Sequence, residues 1–236
     1  MAAILYNVKH TNAGDRIGGI MDTSKICYIV GGGADYGLPF TPGEHDLVIA
    51  ADAGFRSLDG CGIPADYIIG DFDSLDYIPQ SLNVIRLSPE KDMTDMSAAV
   101  DIGIERGYKL FHLYGGTGGR IDHTIANLQL IASLAGQDKQ GFLFGQDSVI
   151  TAIHNTSLSF REIPSGYISV FSHTEQSFGV YLRGLKYELT DAMLKSTFPL
   201  GVSNEFTGTK SSITVENGTL LIVMPCQSLA QIEWSI

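Results

Sequence analysis

Basic residues are scarce in this chain, its cysteines are unpaired in sequence, and it has no long apolar run. Fifteen Lys and Arg stand against 26 Asp and Glu, a formal net charge of −11. That balance argues against nucleic acid or an anionic membrane as partner, since both require a basic face. The three cysteines, Cys27, Cys61 and Cys226, are far apart and form no CxxC pair. An odd, scattered set fits free thiols in a reducing compartment and supplies no zinc site. No stretch approaches the roughly 20 apolar residues of a membrane span. The first ten residues, MAAILYNVKH, lack a basic segment ahead of a long apolar run, so no signal peptide is expected. These deficits lead to the expectation of a soluble, cytoplasmic protein.

What is present suits a folded enzyme-sized chain. Hydrophobic residues make up 44% and charged residues 17%, the composition of a chain that buries a core rather than one that stays disordered. A length of 236 residues allows one large domain or two small ones.

Residues 1–25 are weakly patterned; residues 3–8 read either as an edge strand or as part of an N-terminal extension. Clear structure starts with the apolar run ICYIV at 26–30, followed by three glycines. Further apolar runs lie at 46–51, 67–69, 83–87, 110–114 and 142–144. Between them, residues 55–61 and 96–106 carry helical patterning, with Thr94 or Asp95 able to cap the second helix. A third helix follows the glycine loop at 115–119, with Ile121, Ile125, Leu128 and Ala132 expected on its apolar face. Short apolar strands alternating with helices predict a parallel sheet covered on both faces. The expectation for residues 1–146 is therefore an open α/β domain. The texture then changes: residues 147–236 hold short runs rich in β-branched and aromatic residues, expected to form a small β-sandwich. Asn217-Gly218 between two such runs reads as a two-residue hairpin turn.

The acids fall in a pattern. In DYIIGDFDS, residues 66–74, Asp71 and Asp73 sit one residue apart just past a strand end. In an extended backbone they project the same way, an arrangement that raises each other's pKa unless a cation lies between. Two readings fit this stretch by itself: ordinary loop residues, or a pair for a hard ion such as Mg²⁺. Asp52, Asp92 with Asp95, and Asp122 also follow the carboxyl ends of expected parallel strands, the edge where open α/β sheets bind ligands. Arg120 flanks the glycine loop, where a guanidinium fork and exposed N–H groups suit phosphate oxygens. His123 reads as an acid/base or as a helix-surface residue, and Lys91 as a phosphate contact or a solvated lysine. GGGAD at 31–35 lacks the full dinucleotide fingerprint, and a tight turn needing positive φ explains it as well. Taken together, the acids and the glycine loop favour a Mg²⁺-dependent enzyme acting on phosphoryl groups.

In order along the chain stand Asp52-Ala53-Gly54, GDFDS at 70–74, KDMTD at 91–95, GRIDHTIAN at 119–127, GLKY at 184–187 and SNE at 203–205. In these motifs the sequence resembles the thiamine pyrophosphokinase (thiamine diphosphokinase) family. The resemblance implies an α/β nucleotide-binding domain followed by a β-sandwich, working as a homodimer with its site between subunits. It implies transfer of the pyrophosphoryl group of ATP to the hydroxyethyl oxygen of thiamine, with AMP released. Asp71, Asp73 and Asp95 are then the expected Mg²⁺ ligands, with Asp52 beside them as a ligand or a supporting group. Asp92, Thr94, Arg120, Asp122 and His123 are expected around the nucleotide. Ser203, Asn204 and Tyr187 are expected around thiamine, although an ordinary turn also accounts for Ser203 and Asn204. Trp234 is the other aromatic candidate for stacking, or a packing residue. Without the resemblance, a Mg²⁺-dependent nucleotidyl- or glycosyltransferase using the DxD pair fits the same residues, as does a non-catalytic nucleotide-binding module.

Overall fold

The structure, a computed structural model, describes residues 25–70, 83–86 and 93–233. Asp71, Asp73, Lys91, Asp92, Trp234 and the run at 3–8 lie outside the described residues. Two compact units emerge: residues 25–130 with 143–146, and residues 131–142 with 147–233.

In the first unit the chain forms β1 (Ile26–Val30), β2 (Leu47–Ala51), α1 (Gly54–Gly60), β3 (Tyr67–Gly70), β4 (Val84–Arg86), α2 (Asp95–Glu105) and β5 (Leu110–Tyr114). The strands lie in the order β5-β1-β2-β3-β4, and the β1–β2, β1–β5, β2–β3 and β3–β4 pairs are all parallel. β1, β2 and β5 are buried almost end to end, which is why they read as continuous apolar runs rather than alternating ones. On one face Tyr28, Phe40, Tyr114 and Phe144 form a stacked aromatic ladder, with centroids 4.1, 5.1 and 4.4 Å apart in that order. His112 is enclosed edge-on to Tyr28 and beside Phe144. The opposite face meets α2 so closely that a Cβ on Gly103 would fall 2.6 Å from the Phe111 ring and 2.8 Å from the Cys27 sulfur. Glycine is required there by proximity. Thr94 caps α2, its Oγ1 accepting from Ser97 N at 3.1 Å.

α3 (Ile121–Ala135) follows the glycine loop as expected, but its buried face differs from the apolar one read from sequence. Ile121 is 76% and Ile125 52% exposed; the buried positions are Asn127, Ile131, Ala132, Leu134 and Ala135. The fully buried positions thus begin only at Asn127, more than a turn into the helix.

The second unit continues with β6 (Gln140–Phe144), whose last two residues belong to the first unit, then β7 (Ser148–His154), β8 (Ser157–Phe160), β9 (Tyr167–Ser172) and β10 (Gln176–Arg183). β11 (Leu189–Lys195), β12 (Gly201–Glu205), β13 (Ser211–Asn217), β14 (Thr219–Pro225), a 3₁₀ turn at Cys226–Gln231 and β15 (Ile232–Glu233) complete it. Antiparallel pairs link β7–β14–β9–β12 in one sheet and β11–β10–β13–β8–β15 in another.

Asn217-Gly218 does not close a hairpin. β13 pairs with β8 and β10, whereas β14 pairs with β7 and β9, so the chain changes sheets at this point. The β7-to-β8 connection changes sheets at Asn155, and the two corners are bonded: Asn155 N donates to Gly218 O at 3.1 Å, and Gly218 N to Asn155 Oδ1 at 2.8 Å. Gly218 has φ 122 and Asn155 φ 49, but Asn217 is not left-handed, as a type I′ turn would demand. A close approach of the Ser177 hydroxyl, 2.6 Å from a Cβ built on Gly218, also fixes glycine here.

Candidate active site

Strand order locates the crevice. β1 connects onward to β2 on one side, while β5, reached later, lies on its other side. The carboxyl ends of β1 and β5 thus form the point where the winding reverses, and open α/β sheets bind ligands there. Both strands run into glycines at that edge. Gly31 N donates to Tyr114 O and Gly33 N to Gly115 O, each at 2.8 Å, and Ala34 N donates to Thr117 O at 3.1 Å. A Cβ on Gly33 would lie 2.4 Å from Gly115 O, and one on Gly115 would lie 2.2 Å from Gly31 O. Gly31, Gly32 and Gly33 have no positive φ, so the tight-turn explanation of GGGAD gives way to backbone-against-backbone packing. The 115–119 loop is held from below: Asn127, 4% exposed, donates from Nδ2 to Gly116 O at 2.8 Å, and Thr117 Oγ1 donates to Phe144 O. Asn127, the last residue of the GRIDHTIAN motif and given no role from sequence, thus shapes the site. Its signal was a polar residue on the helix side that turns inward.

Asp52 sits at the carboxyl end of β2 in the left-handed region, φ 51. Its N–H donates to Ile69 O at 2.7 Å, continuing the ladder to β3. Its Oδ1 is buried and has no hydrogen-bond partner among the described residues. A non-glycine residue in this region, with a buried acceptor left over, is the kind of local cost found where a ligand completes the bonding. Gly54, the third residue of the Asp52-Ala53-Gly54 motif, is required because a Cβ would fall 1.9 Å from Val30 O.

Asp95 is the first residue of α2, half-buried, at the positive end of the helix dipole. Thr94 uses one acceptor lone pair on the helix cap, which leaves its O–H free to donate and a second lone pair to accept. Arg120 and Asp122 are exposed and form a two-point pair, Nε to Oδ1 at 3.2 Å and Nη2 to Oδ2 at 2.5 Å. The bond from Arg120 holds the Asp122 carboxyl below its usual range and raises the guanidinium in turn. His123 is exposed on the first turn of α3. Asp52, Asp95 and the 120–123 cluster thus all follow carboxyl ends of the parallel strands. Among the described residues no three His, Cys, Asp or Glu side chains gather at metal-binding distance.

The opposite edge of the sheet makes a useful contrast. A cleft of about 610 Å³ opens there beside Phe40, Asp46, Cys61, Ile63 and Asp66. Its acids are already engaged: Asp46 accepts from Ile26 N and Gly43 N at 2.6 and 2.7 Å, and Asp66 from Val48 N at 2.8 Å. Acids before the strands tie strands down, while Asp52 after a strand has an oxygen to spare.

In the second unit, β12 departs from regular pairing. Gly201 opposes Val170 and Asn204 opposes Ile168, so one extra residue bulges out between them. Ser203, φ 56 and exposed, occupies the bulge and donates its N–H to Ser169 Oγ at 3.0 Å. Because of the extra residue, Asn204 turns inward like Gly201 and is 2% exposed. Tyr187 lies in the loop between β10 and β11 with its side chain 59% exposed. The structure brings Asn204 onto the Tyr187 backbone, whereas Ser203 faces outward.

Comparison with known proteins finds two family domains along the chain. The family model described as "Thiamin pyrophosphokinase, catalytic domain" matches residues 43–143, and "Thiamin pyrophosphokinase, vitamin B1 binding domain" matches residues 155–220. A curated relative, thiamine pyrophosphokinase of Bacillus subtilis (strain 168), is 28% identical over 211 residues, 84% of this chain and 98% of that protein. A crystal structure of thiamine pyrophosphokinase from Bacillus subtilis superposes with TM-score 0.75 at 26% identity, covering 85% of this chain and 98% of the other. One from Geobacillus thermodenitrificans gives 0.74 at 28% identity, covering 85% and 97%.

Proposed function

The chain belongs to the thiamin pyrophosphokinase family, and from that membership we propose that it transfers the pyrophosphoryl group of ATP to thiamine in a Mg²⁺-dependent reaction. The hydroxyethyl oxygen of thiamine attacks the β-phosphorus, the bond from that phosphorus to the α,β-bridging oxygen breaks, and AMP leaves as thiamine diphosphate forms. Catalysis of such a step is mainly positioning and neutralisation of charge.

The observation that carries the nucleotide half is Asp52: left-handed, with a buried oxygen unpartnered among the described residues, at the carboxyl edge of the parallel sheet. An oxygen donor of that kind suits a hard divalent ion. Asp71, Asp73 and Asp95 are the residues that would hold Mg²⁺, with Asp52 contributing its spare oxygen or supporting the others. When bound, the ion supplies neutralisation of the phosphate charge. The glycine loop at 115–119 offers backbone N–H groups, and Arg120, kept in a fixed orientation by Asp122, offers a fork for phosphate oxygens. Thr94 and His123 follow the same strand ends, and Asp92 is read with them as a nucleotide-binding residue. A carboxylate of this set accepts the alcohol proton.

The two sheets of the second unit are read as a sandwich carrying the thiamine side of the site, with Tyr187 and Ser203 turned toward the ligand. A cationic thiazolium is drawn to an aromatic face and to an acidic protein. We read the working form as a cytoplasmic homodimer. The decisive experiment measures AMP release from ATP and Mg²⁺, with thiamine present or omitted and with EDTA added. AMP that appears only with thiamine and Mg²⁺ is expected. Thiamine-independent AMP, or turnover only with a sugar nucleotide, would overturn the proposal.

A further inference from the structure

The loop that carries Tyr187 is fastened through its backbone at Gly184, Lys186 and Tyr187, while Tyr187 itself is 59% exposed. Gly184, φ 68, donates its N–H to Glu188 Oε1 at 2.7 Å, which closes the five-residue loop on itself. Leu185, 4% exposed, anchors the loop in the core and forms an isolated antiparallel bridge with Phe206. Lys186 donates its N–H to Glu205 O at 3.0 Å and its Nζ to Glu205 Oε1 at 2.5 Å. Asn204 then takes both sides of Tyr187: its Oδ1 accepts from Tyr187 N at 2.9 Å, and its Nδ2 donates to Tyr187 O at 2.7 Å. The same Oδ1 accepts from Glu205 N at 2.9 Å.

Both lone pairs of the Asn204 oxygen are therefore spent, along with one of its two amide hydrogens. At 2% exposure the side chain has no surface that a ligand can reach. Asn204 cannot do what its neighbour Ser203 can, although the two stand side by side in the SNE motif. The bulge at Ser203 divides them, one outward and one inward. A largely exposed aromatic residue on a backbone pinned this firmly suits a surface waiting for a flat partner. Preorganisation of this kind lowers the ordering cost of binding.

We infer that Asn204 is a positioning residue for Tyr187: it makes no contact with thiamine and instead fixes the backbone so that the Tyr187 ring presents its face to that substrate. This inference rests on the proposed function, with Tyr187 as the thiamine-facing aromatic, and it assigns Asn204 a different task from a ligand contact. Lys186 and Glu205 brace the same loop from its other side. The carboxylate bond raises the Lys186 pKa, and the same ammonium lies 5.4 Å from the centroid of the Tyr187 ring, so one ring face already meets a cation and the opposite face is the one left for the substrate.

The test is a cycle of Asn204→Ala, Tyr187→Ala and the double variant, with KM for thiamine and for ATP and kcat measured for each. Tyr187→Ala is expected to raise the thiamine KM about tenfold, the scale of a lost aromatic–cation contact. Asn204→Ala is expected to raise thiamine KM several-fold and leave ATP KM within twofold. Adding Asn204→Ala to Tyr187→Ala is expected to change nothing further, because the group being positioned is gone. Multiplicative effects in the double variant would overturn the inference, since Asn204 would then act on the substrate independently. An unchanged thiamine KM in Asn204→Ala would overturn it too. If Tyr187→Ala leaves thiamine KM unchanged, the reading of Tyr187 fails. Hydrogen exchange then decides the positioning by itself: the Tyr187 amide is protected in the parent, and its protection must fall in Asn204→Ala. Should Asn204→Ala fail to fold, Asn204→Asp keeps the two acceptor bonds and loses the one donated to Tyr187 O. It should then give an intermediate thiamine KM, and a parent-like value would count against the inference.

Discussion

Replacing Asp52 by glycine should make the protein more stable and less active. The residue has φ 51, in the region where an L side chain meets the backbone, and its buried Oδ1 lacks a partner among the described residues. Relief of the left-handed strain is worth about 1 kcal/mol. Removing a buried acceptor with no partner returns about 1–3 kcal/mol. The added freedom of glycine in the unfolded chain costs about 0.5–1 kcal/mol. The net is a gain of about 1–3 kcal/mol, and at about 2–4 °C per kcal/mol for a chain of this length the midpoint of thermal unfolding rises measurably. Asp52→Ala, which removes the oxygen but keeps the strain, should fall between parent and glycine variant. Thermal unfolding is followed without nucleotide or divalent ion, and turnover is measured with both. Loss of the carboxylate should lower kcat/KM by about 10–100-fold or more, the usual consequence of removing a group that supports a metal. If Asp52→Gly is destabilised by more than about 1 kcal/mol, the strain argument is wrong. If it turns over like the parent, Asp52 is a loop residue and the crevice at this edge loses its main support.

Two further predictions concern charge. Burial pushes His112 down to about 3 from the 6.5 usual for a histidine. The unfolded chain therefore binds a proton in a pH range where the folded one does not, and stability falls as pH drops below about 6.5. Between pH 8 and pH 5 this single group removes about 2 kcal/mol. Urea unfolding at both pH values should show a smaller loss for His112→Phe, and an equal loss in parent and variant would refute the assignment. Arg120→Ala should raise ATP KM about tenfold by removing a phosphate fork, with Arg120→Lys failing to restore it. Asp122→Asn should raise ATP KM less, because Asp122 only orients Arg120. Steady-state kinetics in which Arg120→Ala leaves ATP KM unchanged would remove that residue from the site.

The amino-acid sequence determined the parts whose signal is local. The buried parallel strands were legible because residues enclosed on both faces must all be apolar, and Ile26–Val30, Leu47–Ala51 and Leu110–Tyr114 are. The cap at Thr94, the ordered family motifs and the concentration of acids after strands were legible for the same reason. β11 and β12 were not, since LTDAMLK and GVSNE carry neither alternation nor an apolar run, and their pairing partners hold them extended.

Tertiary structure alone decided the rest, because it depends on which backbones approach one another. Asn217-Gly218 looks like a hairpin in sequence and is a corner between sheets, since the flanking strands found partners elsewhere. Ile121 and Ile125 have the spacing of a buried face, yet both stand exposed at the start of α3. The glycines after β1 fit either a nucleotide-binding loop or a tight turn in sequence, and in the fold another backbone lies against them. Asn204 and Ser203 are neighbours of similar polarity, and one extra residue in β12 sends them to opposite sides. Sequence names the residues that chemistry can use; long-range packing determines which of them face a ligand and which hold the others in place.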